Sequence, residues 1–347
     1  MKIYIYSGGE KLVGRSGVGQ AIRHQRECLR RADIETTSRW TPDAAAVHVN
    51  TVLTDSVLAA LGARLRGRKV VWYGHSTMED FRGSFKGSDA LAPLFRRWIK
   101  FCYGLGDVVL TPTEYSRRLL ESYGLRRPVY SISNGVDTDY FRPDPAARAA
   151  FRRRYGLEGE TPVVISVGHT IARKGLPEFL DLARRVPAAQ FLWFGWTDPR
   201  LVPREITRAM DSAPANVRFP GFVDRERLRE AYRGADVFAF LSHEETEGIV
   251  VLEALACGVP TVVRDIPVYG GWLEHGQNIY KAENTDDFQR IVEGILSGAL
   301  PDLTAAGRAA AEGRSLEAVG AKLREIYRRE RILPPLPASV AQRRARA

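Results

Sequence analysis

Cysteine is scarce in this chain. There are three in 347 residues, Cys28, Cys102 and Cys257, and no C-x-x-C pair. That excludes a disulfide framework and argues against a zinc knuckle or a dithiol redox site. It suits a reducing compartment, the cytoplasm. Long apolar runs are also missing. None approaches the roughly 20 residues needed to span a bilayer, and the longest, Gly248 to Pro260, is broken by Glu253. Lys2 is followed by a short apolar stretch and then Ser7-Gly8-Gly9-Glu10, so no signal-peptide core is expected. Glycine and proline, 31 and 19 residues, follow no period, which excludes collagen. With 44% apolar and 27% charged residues, disorder of the whole chain is excluded too.

Charge is unevenly spread. Residues 1–150 hold 23 Lys and Arg against 15 Asp and Glu, an excess of eight. The remaining 28 and 26 leave an excess of only two. A basic half suits a polyanionic partner, nucleic acid or anionic lipid, or is simply a solvated Arg-rich surface.

Short apolar runs alternate with amphipathic ones. Strands are predicted at 2–6, 46–49, 69–73, 107–110 and 129–132, and helices at 18–31 and 114–123. After a Pro-rich stretch at 141–145 the alternation restarts, with strands at 162–167, 190–194, 236–241 and 259–263. Helices are predicted there at 176–185, 225–232 and 248–256. Such alternation predicts βαβ units in parallel sheets. The reading is α/β, with two doubly wound Rossmann-like domains, 1–155 and 156–332, facing each other across a cleft. The last helix is a candidate to pack back on the first domain. Residues 333–347, with prolines and then Arg343, Arg344 and Arg346, read as a disordered tail.

The most informative segment runs from Phe238 to Pro260. A strand ends near Leu241, an acidic turn follows, and a helix starts near Gly248. Free backbone N–H groups at Gly248, Ile249 and Val250 make a natural phosphate site. Glu245 and Glu253 flank it, and ionised carboxylates accept hydroxyl hydrogen bonds well. Acids also favour a helix N-terminus without any ligand, which accounts for Glu244, Glu245 and Glu247. It accounts poorly for Glu253, set among Val251, Leu252, Ala254 and Leu255. His243-Glu244-x-x-Glu247 lacks the second histidine of a zinc-protease motif. Asp137-Thr138-Asp139 lies in a turn with nothing else to suggest a metal. The turn from Gly168 to Gly175 would deliver Arg173 and Lys174 to the cleft, two cations able to neutralise a leaving diphosphate.

Glu245-x7-Glu253 followed by Ala-Leu-Ala-Cys-Gly-Val-Pro260 resembles the donor-site signature of glycosyltransferase family 4, retaining enzymes of the GT-B fold. Asn134-Gly-Val-Asp137 with Phe141, the Gly168–Gly175 loop, Asn216–Val223 and Ala235–Phe238 resemble further family segments in the same order. Two departures stand out. His169 replaces the family arginine, for which Arg173 is the substitute, and Glu247 replaces an aromatic that often flanks the donor. The resemblance gives the Gly-rich loop Gly14 to Gln20, with Gly17, Val18 and Gly19, a place near donor phosphate and acceptor. It puts His75, after a strand end, against the transferred sugar or acceptor. It implies front-side attack, with the leaving diphosphate helping to accept the acceptor proton, and needs neither cofactor nor metal. Glu245 would hold the sugar hydroxyls and Glu253 the ribose.

Glu245 to Ala256, Ser16 to Gln20 and Gly74 to Thr77 are similar in wording to bacterial diacylglycerol glucosyltransferases. That resemblance implies transfer of a hexose, glucose, from a UDP-sugar to a membrane lipid acceptor such as 1,2-diacylglycerol, with the protein peripheral on the inner face of the cell membrane. Leu94, Phe95, Trp98, Ile99 and Cys102 read as one apolar stripe beside Arg96, Arg97 and Lys100. The stripe is either a core face or an interfacial one. A polyprenyl-linked or soluble saccharide is the alternative acceptor. An NAD-dependent oxidoreductase or epimerase is a more distant alternative, since the fingerprint at Gly14–Gly19 has Ile22 where a third glycine belongs. A nucleic-acid-binding role has no supporting motif, and the oligomeric state is not readable.

Overall fold

The computed structural model describes residues 2–8, 17–157 and 159–334. The first part of the chain forms β1 (Lys2–Tyr6), α1 (Gly17–Arg31), β2 (Glu35–Thr37), β3 (Ala44–Val49), α2 (Thr54–Leu65) and β4 (Lys69–Tyr73). It continues with the single turn α3 (Met78–Phe81), α4 (Ser88–Gly104), β5 (Val108–Thr111), α5 (Glu114–Ser122) and β6 (Val129–Ser131). The second part forms α6 (Ala147–Arg154), β7 (Val163–Val167), α7 (Leu176–Arg185), β8 (Gln190–Phe194), α8 (Arg204–Asp211) and β9 (Val217–Gly221). It ends with α9 (Arg225–Gly234), β10 (Val237–Phe240), α10 (Ile249–Cys257), β11 (Thr261–Arg264), β12 (Tyr280–Ala282), α11 (Thr285–Leu296), α12 (Thr304–Glu312) and α13 (Leu316–Arg329).

Each part builds a six-stranded sheet, β2-β1-β3-β4-β5-β6 and β12-β11-β10-β7-β8-β9. Every pair of neighbouring strands is parallel. Helices cover both faces, so the inner strands are continuous apolar runs, as in Val237–Phe240, buried at all four positions. Strand order reverses between β1 and β3 and between β7 and β10, and a crevice opens at the carboxyl ends beside such a switch.

The domain limits differ from 155. Phe141 and Phe151 are buried in the core of the second domain, so α6 belongs there. Gly234 makes room for Phe151, because a Cβ at 234 would lie 2.5 Å from its ring. In the other direction, α13 leaves the second domain. Leu316, Leu323 and Tyr327 join the core of the first, and Arg324 pairs with Asp33 at 2.9 Å. The chain thus crosses between domains twice, and the crossings are tied together. Val136 N–H donates to the Arg314 carbonyl at 3.0 Å, and Leu316 N–H donates to that of Val136 at 3.1 Å. Most of the tail, residues 335–347, lies outside the described residues, as do Gly14, Arg15 and Ser16 of the Gly-rich loop.

Of the stripe on α4, Phe95, Trp98, Ile99 and Cys102 join the core of the first domain and Leu94 is exposed. Ile99 and Cys102 are fully buried, whereas Leu91, Leu94 and Phe101 are exposed. Positions 92, 95, 99 and 102 face the core, with Trp98 packed at its edge, and 91, 94 and 101 face outward, as the helical repeat requires.

Candidate functional site

A cleft of about 330 Å³ lies between the carboxyl ends of the two sheets. From the second domain it is lined by Gly168, Lys174, Trp196, Phe222, Glu245 and the Gly248–Val250 turn, and from the first by Gly17, Val18, His75 and Asn134. The expected site residues Arg173, Lys174, Glu245, Gly248, Ile249 and Val250 therefore come together. Gly17, Val18 and His75 meet them from across the cleft. Gly19, one turn into α1, is buried and is not among the lining residues.

The donor edge is made by tight turns. Gly175 has φ +78°, and a Cβ there would lie 2.3 Å from the Leu241 carbonyl oxygen. Only glycine lets the 172–174 turn sit against the end of β10. That turn presents Lys174, which forms an ion pair with Glu245. Burial pushes the Glu245 carboxyl up, but Lys174 and then Arg173 outweigh it and hold the group below its ordinary value. Glu245 is thus an ionised acceptor at neutral pH. Gly248, with φ +85°, caps α10. The first amides of the helix have no intrahelical acceptor, and they border the cleft.

Arg173 lines the cleft but is occupied. Its guanidinium pairs with Asp80 at 2.8 Å and donates to Ser84 Oγ at 3.1 Å and to the Glu244 carbonyl at 2.7 Å. It ties the second domain to the first. The acidic loop is tied at three more points. Tyr115 OH donates to Glu244 at 3.2 Å, Thr113 Oγ1 to the Thr246 carbonyl at 2.9 Å, and Asn134 to Glu247 Oε2 from its backbone N–H at 2.9 Å and its side chain at 2.7 Å. Glu247, in place of the family aromatic, is a strut between domains. Burial raises its pKa, against the pull of Ser133, Asn134 and Arg314. His169, where the family has arginine, donates from Nδ1 to the Trp196 carbonyl at 3.0 Å, and burial lowers its pKa.

Glu253 sits elsewhere than expected. It is buried, bonds Tyr232 OH at 3.2 Å, and is not among the residues lining the cleft. Burial lifts its pKa to about 7. Asp137 is held by Arg31 at 3.4 Å and Arg225 at 3.7 Å, so the D-x-D turn is an ion-pair node between α1 and α9. Among the described residues no group of three His, Cys, Asp or Glu is placed to hold a metal.

On the first-domain side, His75 lies against Tyr73 in a stacked pair 4.4 Å apart. Burial, then His48, lowers its pKa to about 3, so it is neutral. Trp196 and Phe222, about half exposed, stand just past the ends of β8 and β9. They were not singled out in the sequence, where each is a lone aromatic after a strand. The signal available was position alone.

Known proteins agree with this geometry. The family described as Glycosyltransferase Family 4 matches residues 15–140, and that described as Glycosyl transferases group 1 matches 147–312. The chain is 36% identical over 329 residues to a processive diacylglycerol alpha-glucosyltransferase of Acholeplasma laidlawii, covering 94% of this chain and 98% of that one. It is 29% identical to the alpha-galactosylglucosyldiacylglycerol synthase of Streptococcus pneumoniae, over 79% of this chain and 75% of that one. The fold superposes with a TM-score of 0.76 on Anabaena Alr3699/HepE in complex with UDP-glucose, at 16% identity, over 94% of this chain and 99% of that one. An oxidoreductase reading of the N-terminal glycines is set aside by these matches. Two parallel sheets facing across a cleft, the Lys174–Glu245 pair and near full-length similarity lead to one conclusion: this chain belongs to glycosyltransferase family 4 and is a hexosyltransferase of the GT-B fold.

Proposed function

We infer that the protein transfers glucose from UDP-glucose, with retention, to a membrane lipid of the 1,2-diacylglycerol kind. The observation that carries this is the cleft itself. An ionised carboxylate, a lysine and a helix N-terminus converge there, and the chain resembles a diacylglycerol alpha-glucosyltransferase over nearly its whole length. The amides of Gly248, Ile249 and Val250 and the Lys174 ammonium take the diphosphate, where charge develops as the sugar leaves. Glu245 holds hexose hydroxyls. Trp196 and Phe222 offer apolar faces to the base. No metal is needed in this scheme, because lysine and helix dipole already neutralise the leaving group.

The first domain supports a membrane acceptor. Leu58, Leu61 and Leu65 project outward from α2 and are 69%, 41% and 89% exposed, and Leu91, Leu94 and Phe101 do the same on α4. The helices are neighbours: Trp98 Nε1 donates to the Val52 carbonyl at 2.6 Å, and Arg64 donates to that of Leu105 at 3.0 Å. Arg64, Arg66, Arg68, Arg97 and Lys100 belong to the same helices and their ends. Apolar side chains ringed by cations suit the surface of an anionic bilayer, each cation there contributing about 1 kcal/mol. Among the described residues no helix is long and apolar enough to cross a membrane. We propose that this basic, apolar surface holds the enzyme peripherally on the inner face of the cell membrane.

Thermal shift tests the donor. UDP present at about 100 times its Kd adds about 2.7 kcal/mol of stability, and UDP and UDP-glucose are expected to raise Tm where GDP and ADP do not. A shift with GDP-mannose and none with UDP-glucose would overturn the donor assignment. Sedimentation with phosphatidylglycerol vesicles tests the surface: binding is expected to weaken with salt, and equal binding to neutral vesicles in high salt would contradict it.

A further inference from the structure

We propose that binding of the sugar diphosphate takes up a proton at His169 Nε2: the imidazole is neutral in the empty cleft and becomes a cation beside Lys174 when the diphosphate arrives. The inference rests on the diphosphate lying at the Lys174 turn, as proposed above. It adds that donor affinity in this protein depends on pH.

The turn that carries His169 is pinned on both sides by the segment after β8. Gly168 N–H donates to the Phe194 carbonyl at 2.9 Å, and Thr170 N–H donates to Thr197 Oγ1 at 2.9 Å. Gly195, with φ +134°, permits the approach, since a Cβ there would collide with the Gly168 carbonyl oxygen. The ring is fixed as well. Nδ1 lies 3.0 Å from the Trp196 carbonyl, and a carbonyl only accepts, so Nδ1 carries the proton. In the neutral imidazole Nε2 is then the lone pair. Among the described residues, Nε2 has no hydrogen-bond partner. His169 is exposed and lines the cleft with Lys174 and Trp196. With Nδ1 committed to the backbone, Nε2 is the ring nitrogen that a ligand in the cleft can reach.

The surrounding charges account for both states. In the empty cleft, desolvation by the walls lowers the His169 pKa. The bond to Trp196 opposes this, Lys174 and Arg173 add to the lowering, and Glu245 opposes them. The two cations are each matched by a carboxylate, Lys174 by Glu245 and Arg173 by Asp80. A doubly charged diphosphate between Lys174 and the amides of 248–250 reverses the field at the ring, and an anion within about 4–6 Å favours the charged form. A proton from bulk water then bonds to the Nε2 lone pair, and the new N–H donates to a phosphate oxygen in a charge-assisted bond. Arg173 is spent on Asp80, Ser84 and the Glu244 carbonyl. By linkage, affinity is constant below the free-state pKa. It falls by up to about tenfold per pH unit between the free and bound values, and levels off above the bound one.

Calorimetry of the full-length protein with UDP-glucose, whose diphosphate does not titrate near neutrality, tests this. Titrations in buffers of different ionisation enthalpy should show uptake of about one proton per donor at neutral pH, with Kd rising about tenfold from pH 6 to 8. His169→Arg should bind equally tightly at both pH values. His169→Gln should bind as weakly at pH 6 as wild type does at pH 8. Glu244 and Glu253, with pKa values of about 7, titrate in the same range. A pH dependence that persists undiminished in both variants belongs to them and overturns the proposal, as does a proton count near zero. In ¹⁵N-histidine-labelled protein, the resonances of His169, identified by their loss in His169→Gln, should show the Nδ1–H tautomer. Saturating inorganic pyrophosphate should move their titration midpoint up by about one pH unit or more. An Nε2–H tautomer or an unmoved midpoint also overturns the proposal. Failure of the wild type to bind UDP-glucose at any pH would count against the proposed donor, and the pyrophosphate titration would still decide the role of His169.

Discussion

The two domains share an architecture and differ in how they build their side of the cleft. The second domain makes the donor edge from contiguous chain: Arg173–Gly175 and Glu245–Val250 are short turns directly after strands. The first domain makes its edge from single residues on separate elements, Gly17, His75 and Asn134. Residues 1–150 also carry a basic excess of eight, and α2 and α4 carry the outward leucines. A diphosphate needs several donors close together, which one tight turn and one helix end supply. A lipid acceptor needs a surface, which is assembled from faces of helices far apart in sequence.

The sharpest way to break this comparison is Lys174→Ala. Loss of the donor-side cation should lower kcat by about 10²- to 10³-fold, the usual cost of removing a group that stabilises developing charge. Circular dichroism and vesicle binding should be unchanged. Wild-type turnover in Lys174→Ala and Glu245→Ala together would remove the donor site from this turn.

Glu253 gives the next largest effect, on stability. Its native pKa of about 7 stands above the ordinary carboxylate value. Between those two values the native state keeps a proton that the unfolded chain releases, so stability falls as pH rises through this window. Glu253→Gln removes that penalty. Its stability relative to wild type should be near zero below pH 4.5 and should rise to on the order of 3 kcal/mol above pH 7.5. Denaturant melts at pH 5 and 8 measure the difference. No pH dependence would mean the carboxyl is solvated or paired.

On the first-domain side, Leu58→Glu with Leu65→Glu and Phe101→Glu should weaken binding to anionic vesicles about 10-fold, since each exposed apolar side chain contributes a fraction of its full burial energy of roughly 2 kcal/mol. UDP binding by calorimetry should not move. Loss of both together would show that the helices are core. The smallest effect belongs to the ties between domains. Tyr115→Phe removes one bond to Glu244, a group whose pKa burial lifts to about 7. It should raise KM for UDP-glucose about two- to fivefold, in keeping with a single hydrogen bond of about 1 kcal/mol.

The same contrast explains what was legible in the sequence. Alternating strands and helices were readable because buried parallel strands are apolar runs, and the donor motif because its residues are consecutive. The domain limit was harder to place. Phe141 and Phe151 sit beside the Pro-rich stretch, and only packing against Tyr232 and Gly234 shows which core takes them. On α4 two apolar stripes run side by side, and sequence merges them because both contain large apolar residues. The inward one is decided by Ile99 and Cys102 meeting the sheet. Glu253 was assigned to the cleft from its odd setting among apolar residues. Its partner Tyr232 lies 21 residues away, and no local pattern connects them.

The most direct measurement is a transfer assay with radiolabelled UDP-glucose and 1,2-dioleoylglycerol in phosphatidylglycerol vesicles, with the anomeric configuration of the product read by NMR. The account predicts an α-linked glucosyl lipid, formed by wild type and lost in Lys174→Ala. A β-linked product, or glucose passed only to a soluble saccharide, would contradict it.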